Sequence, residues 1–138
     1  FSEYYTNNHK KELKLYDGIY ELLVEIKNKG CKLALATNAY RSSTMESLNH
    51  LQIKDMFDAI SCADDVLNSK PYPDMLYKIV DELGLDVKSS LFVGDGPRDQ
   101  EAAKNASMDY LMVDWGFSDN IDAITTVEEF KNTILSMI

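Results

Sequence analysis

The chain has 138 residues, the size of one ordinary domain, and its 45% hydrophobic and 27% charged content excludes wholesale disorder and fibrous architecture. With 14 Lys and Arg against 23 Asp and Glu, the net charge is −9, which removes the bulk positive field that a nucleic-acid backbone or an anionic membrane would require. No apolar run approaches the roughly 20 residues of a membrane helix, and no signal peptide opens the chain.

The chain begins Phe1-Ser2-Glu3, without Met, as a fragment would. Residues 1–12 are polar and aromatic and read as the tail of an element begun earlier, leaving residues 13–138 as the domain proper. After Asp17-Gly18, the apolar residues Ile19, Leu22, Leu23 and Ile26 recur at helical spacing, and Gly30 provides a left-handed cap. A short buried strand, Lys32–Ala36, ends at Thr37-Asn38. A helix over Ser42–Leu51 turns Met45, Leu48 and Leu51 inward, and Phe57–Ser61 is a second strand. Lys70-Pro71-Tyr72-Pro73 breaks the chain, and Pro73 suits the first turn of a helix carrying Leu76, Ile79, Val80 and Leu83, which Gly84 ends. A third strand, Ser90–Val93, runs into Gly94-Asp95-Gly96-Pro97-Arg98-Asp99, and a helix follows through Ala102, Ala103 and Ala106. Tyr110–Val113 is the fourth strand. Thr126 and Glu129 have capping-box spacing ahead of Phe130, Ile134 and Leu135.

Four short apolar strands alternating with helices predict an α/β fold: a doubly wound, Rossmann-like parallel sheet with helices on both faces. Such sheets bind ligands at the carboxyl ends of their strands. There stand Thr37, Asn38 and Ala39; Ala63, Asp64 and Asp65; Gly94, Asp95, Gly96 and Asp99; and Asp114, Trp115 and Gly116, with Lys70 beyond the second strand. Asp95 and Asp99, four residues apart at a strand-to-helix turn, can face one point and suit Mg²⁺, which accepts one or two carboxylates and keeps waters and a substrate phosphate. Helix capping accounts for Asp99 alone but not for both acids. Thr37 and Asn38 offer a hydroxyl and backbone N–H groups as an anion cradle, and are equally compatible with a helix-capping turn. Lys70 can hold a phosphate as a point charge, its direction stiffened by Pro71 and Pro73; a solvated lysine is the ordinary alternative. Arg41 and Arg98 read as surface arginines, Asp64 and Asp65 as a solvated loop pair, Trp115 as packing, and His9 and His50 as isolated. Cys31 and Cys62 lack metal spacing and read as small buried residues of a reduced, cytoplasmic protein.

These residues resemble the haloacid dehalogenase-like (HAD) phosphatases, in particular their phosphoglycolate-phosphatase-like branch, from about Lys14 to Ser118. Leu33-Ala34-Leu35-Ala36-Thr37-Asn38 resembles the second family motif, whose Thr binds the phosphoryl group. Lys70-Pro71-Tyr72-Pro73-Asp74 resembles the third, whose Lys balances charge on phosphate and nucleophile. Val93-Gly94-Asp95-Gly96-Pro97-Arg98-Asp99 resembles the fourth, whose acids hold Mg²⁺, with Gly96 where Ser or Thr is frequent. Glu101-Ala102-Ala103-Lys104-Asn105-Ala106 also fits, and Trp115-Gly116-Phe117 resembles the phosphoglycolate branch.

The first motif, Asp-x-Asp-Gly-Thr, which supplies the nucleophile, is not found. Leu15-Tyr16-Asp17-Gly18-Ile19 imitates it, but Leu15 stands in the nucleophile's place, no strand is expected before it, and Asp17 reads as a turn residue. By this alignment residues 1–12 are the end of the cap or its linker, 13–138 are core, and the central strand bearing the first motif is missing. The resemblance therefore implies the C-terminal core part of a Mg²⁺-dependent phosphatase acting on a small phosphomonoester through an aspartyl-phosphate. Thr37, Asn38 and Lys70 would be on the phosphate, with Thr37 and Lys70 in catalysis, and Asp95 and Asp99 on the metal. The chain alone is expected to be inactive. The alternative is a non-catalytic phosphate-binding module or split subunit, forming a homo-oligomer or completed by a partner chain that supplies the strand. A phospho-acceptor receiver domain ranks below both, because the first strand ends in Thr37-Asn38 rather than in an acidic cluster.

Overall fold

The computed structural model describes residues 5–6, 14–15, 18–113 and 126–137. Its elements in order are β1 (Tyr5–Thr6), β2 (Lys14–Leu15), α1 (Ile19–Asn28), β3 (Ala34–Ala36), α2 (Arg41–Leu51), β4 (Ala59–Ser61), α3 (Asp74–Leu83), β5 (Leu91–Gly94), α4 (Pro97–Asn105), β6 (Asp109–Met112) and α5 (Val127–Met137). Every α-helix and all four strands expected from the sequence match that reading to within three residues at each end. Gly30 caps α1 at φ +87°, a backbone region that residues with a Cβ enter only at a cost. At α5, Thr126 Oγ1 accepts the backbone N–H of Glu129 at 3.1 Å, the cap predicted from that spacing.

Two details differ. A two-residue strand does precede Asp17: β2 pairs antiparallel with β1, with Tyr5 opposite Leu15. On α2 the buried residues are Thr44 and Leu48, while Met45 and Leu51 are half-buried. Thr44 is able to face inward because its hydroxyl donates to Tyr40 O at 2.9 Å, which satisfies it locally.

The expected sheet is present in two halves. β3 pairs parallel with β4, and β5 pairs parallel with β6; among the described residues these remain separate two-stranded sheets. Period-2 alternation sends successive strand residues to opposite faces. Leu35 and Val93 join Ile19, Leu22, Leu23 and Ile26 of α1, Leu48 of α2, and Phe130 and Ile134 of α5 in one apolar cluster. Ala36, Ala59 and Phe92 join Met75, Leu76, Ile79 and Val80 of α3 and Ala102 and Ala103 of α4 in the other. Helices thus cover both faces, as a doubly wound fold demands, and each layer spans both half-sheets. No helix among the described residues is long and apolar enough to cross a membrane. Both cysteines are free; Cys62 is buried, whereas Cys31 is only half-buried at the edge of the first cluster.

Candidate active site

The carboxyl ends of β3 and β5 bring together Lys70, Asp95 and Asp99, with Thr37 and Asn38 alongside. Lys70 reaches from the loop after β4 and is 6% exposed; its Nζ donates to Ala36 O at 3.1 Å and to Asp99 Oδ1 at 2.5 Å. The Phe92 ring centroid lies 5.6 Å from the ammonium, so an aromatic face helps hold the desolvated charge. This ammonium is therefore a buried tie between the two half-sheets: Ala36 belongs to β3, and Asp99 stands in the first turn of α4 after β5.

Asp99 is 5% exposed and folds back over the end of β5, where its Oδ2 accepts the backbone N–H of Asp95 at 3.3 Å. Gly94 makes this approach possible. A Cβ there would lie 2.6 Å from Asp99 Oδ2 and 2.7 Å from its Cγ. The sequence reading placed Gly94 in the turn without assigning it this role; a glycine immediately before a strand-end acid was the available signal. Asp95 is solvent-accessible, yet crowding by surrounding protein, and then the charge of Asp99, push its carboxyl above the ordinary value. Behind the pair, Tyr110 Oη donates to Gly96 O at 3.3 Å, and burial, followed by the charges of Asp99 and Asp95, drives its phenol strongly upward.

Thr37 is buried at the end of β3. Its N–H donates to Ser61 O at 3.0 Å and its Oγ1 accepts the N–H of Ala39 at 3.1 Å, which leaves the hydroxyl proton for an anion. The Asn38 carboxamide is turned to the backbone of Lys70.

Arg41 and Asp65 depart from the sequence reading, whereas Asp64 is exposed as expected. Arg41 is no loose surface residue. It donates to both carboxylate oxygens of Asp65, from Nε at 3.0 Å and from Nη2 at 2.5 Å, and to Ile60 O at 2.9 Å; its backbone N–H donates to Asp64 at 2.9 Å. Asp65 also accepts the N–H of Cys62 at 2.8 Å. The start of α2 lies against the end of β4, so the guanidinium finds a carbonyl and a carboxylate within reach. The hydrogen bonds from Arg41 hold Asp65 below the ordinary carboxylate value. Arg98 is exposed, as expected. His9, Asp17, Asp114, Trp115, Gly116 and Phe117 lie outside the described residues.

A family profile of haloacid dehalogenase-like hydrolases matches residues 1–113. The chain belongs to that family. Relatives of this HAD-like chain include the pyrophosphatase PpaX of Halalkalibacterium halodurans, 34% identical over 106 residues that span 77% of this chain and 49% of that protein. The phosphoglycolate phosphatase of Nitrosococcus oceani is 28% identical over 97% of this chain and 63% of that protein. A HAD phosphatase structure from Thermococcus onnurineus, 22% identical, shares the fold at a TM-score of 0.82, covering 90% of this chain and 60% of that one. The HAD-like chain thus spans about half to just under two-thirds of the length of these curated relatives.

A family Mg²⁺ is compatible with the acids present. The charge of Asp99 disfavours that of nearby Asp95, a repulsion that a divalent cation would relieve. Among the described residues the carboxylates here number two, and no group of three or more His, Cys, Asp or Glu could hold a metal ion. That count suits Mg²⁺, which retains waters, better than an all-protein cage.

Proposed function

We propose that this chain is the C-terminal core part of a Mg²⁺-dependent phosphatase that hydrolyses a small, phosphoglycolate-like phosphomonoester. The observation that carries this reading is the buried Lys70–Asp99 pair at the mouth between β3 and β5, flanked by Asp95 and by the Thr37 hydroxyl. A phosphoryl group placed there meets one fixed cation and one hydroxyl donor, both held before it arrives. Bound Mg²⁺ would supply charge neutralisation on the phosphoryl oxygens. Thr37 would donate its hydroxyl proton to a phosphoryl oxygen. Lys70 would offset the anionic charge while staying tied to Ala36 O and Asp99. Asp95 and Asp99 would hold the metal.

The 138 residues contain no Asp-x-Asp-Gly-Thr segment, so the aspartate that attacks phosphorus, and carries it as an aspartyl-phosphate until water releases it, would come from outside them. The separate half-sheets favour one further form of this reading, a split subunit whose partner chain supplies the strand between β3 and β5; without such a partner the same chain is a phosphate-binding module. The location we infer is the cytoplasm.

The deciding experiment compares Mg²⁺-dependent turnover of a generic phosphomonoester by the protein from its natural reading frame and by this chain alone. Turnover by the former, lost in Lys70→Met and Asp95→Asn, with a rate lower by about 10⁴-fold or more in the latter, is the expected result. Substantial turnover by the 138 residues alone overturns the assignment of the nucleophile. If the natural protein is inert but the chain binds inorganic phosphate, the binding-module reading replaces it.

A further inference from the structure

We propose that the Asn38 side chain is a positioning group that sets the reach of Lys70, and that this side chain affects phosphate only through that lysine. The proposal rests on the phosphate-site reading above and adds to it a role for the Asn38 side chain. The sequence places Asn38 beside Thr37 in an anion cradle through backbone N–H groups, and its carboxamide is engaged separately. Asn38 Nδ2 donates to Lys70 O at 3.1 Å, and Asn38 Oδ1 accepts the Lys70 N–H at 3.0 Å. This reciprocal exchange holds the peptide groups on both sides of the Lys70 Cα, much as a partner residue does in a sheet ladder.

The end of β3 therefore grips Lys70 twice. Ala36 O takes the ammonium and Asn38, two residues on, takes the backbone. A lysine side chain has several rotatable bonds, and an ammonium is aimed only if its backbone is fixed as well as its tip. With both ends held, the stem spans from β3 to Asp99 and stays 6% exposed. For Asn38 to bind phosphate through its side chain, it would first give up both bonds and leave the Lys70 N–H and C=O without that partner, which is unfavourable for part-buried groups.

The test uses the full chain labelled with ¹⁵N, with inorganic phosphate plus MgCl₂ as the probe. Without phosphate, the Lys70 ammonium of the parent chain is expected to exchange its protons more slowly than exposed lysines do. Asn38→Ala is expected to speed that exchange about tenfold while the remaining amide spectrum is retained. Asn38→Asp, which keeps the acceptor and loses the donor, is expected to give a smaller increase and serves in place of the alanine variant if that one does not fold. In phosphate titrations, Asn38→Ala should weaken binding about five- to tenfold in the parent and not at all in a Lys70→Met background. Unchanged Lys70 exchange in the Asn38 variants, or a loss of phosphate affinity as large with Met at position 70, overturns the proposal and makes Asn38 a direct ligand. Fast ammonium exchange in the parent chain also overturns it. Failure of the parent chain to bind phosphate counts against the phosphate-site reading alone, and the exchange measurement still decides the role of Asn38.

Discussion

At the scale of single residues, the site depends on Lys70 and on the absence of a side chain at Gly94. Removing one partner of a buried ion pair strands the other charge. Lys70→Met is therefore expected to destabilise the chain by about 3–5 kcal/mol in urea denaturation, whereas Lys70→Met combined with Asp99→Leu should recover most of that loss. Gly94→Ala would drive a methyl group into Asp99, whose nearest atoms are its own Cβ, Cγ and Oδ2 close to the backbone, so little can give way. The expected cost is about 1–3 kcal/mol, and Mg²⁺ binding, followed calorimetrically, should weaken with it. The charged residues of this site were legible in the sequence because Asp95 stands at a strand end between two glycines, Asp99 follows it by four residues, and Lys70 precedes Pro71. The partner of the Asn38 carboxamide was not, since it lies 32 residues further along the chain.

Between elements, the Arg41–Asp65 clamp ties the start of α2 to the turn after β4 and so braces the Thr37–Tyr40 loop, where Ala39 O also accepts the Ala63 N–H at 3.0 Å. Because Asp65 titrates below its ordinary value of 3.8, its stabilising contribution is present above that value and is lost as the pH falls through the folded-state value. Asp65→Asn is expected to cost about 1–2 kcal/mol at neutral pH, an estimate kept low because the Arg41 side chain is 40% exposed. The difference from the parent should narrow on approaching pH 3, as read by denaturant midpoints; an undiminished difference there would show that the carboxylate charge is not what matters. Arg41 and Asp65 looked like surface residues because each is polar and sits in a loop. Only the abutment of α2 on β4 pairs them.

Across the molecule, among the described residues, the two half-sheets are joined by side chains rather than by a hydrogen-bonded ladder. One apolar layer contains both Leu35 of β3 and Val93 of β5, and Phe130 of α5 is fully buried within it. Phe130→Ala is expected to cost about 3–5 kcal/mol and to leave a single unfolding transition, because the layer it fills belongs to both halves. Two separate transitions by circular dichroism would mean that the half-sheets unfold independently.

Hydrophobic periodicity, glycine and proline punctuation and strand-end chemistry are local properties of the chain, and they determined the helices, the four parallel strands, the two-faced architecture and the positions of Thr37, Lys70, Asp95 and Asp99. Pairing is not local. The separation of the sheet into β3–β4 and β5–β6, the Lys70 ammonium bridging Ala36 and Asp99, and the turn of Asn38 toward Lys70 were decided by tertiary structure, because each depends on which backbone and side-chain groups burial brings within about 3 Å and must leave satisfied.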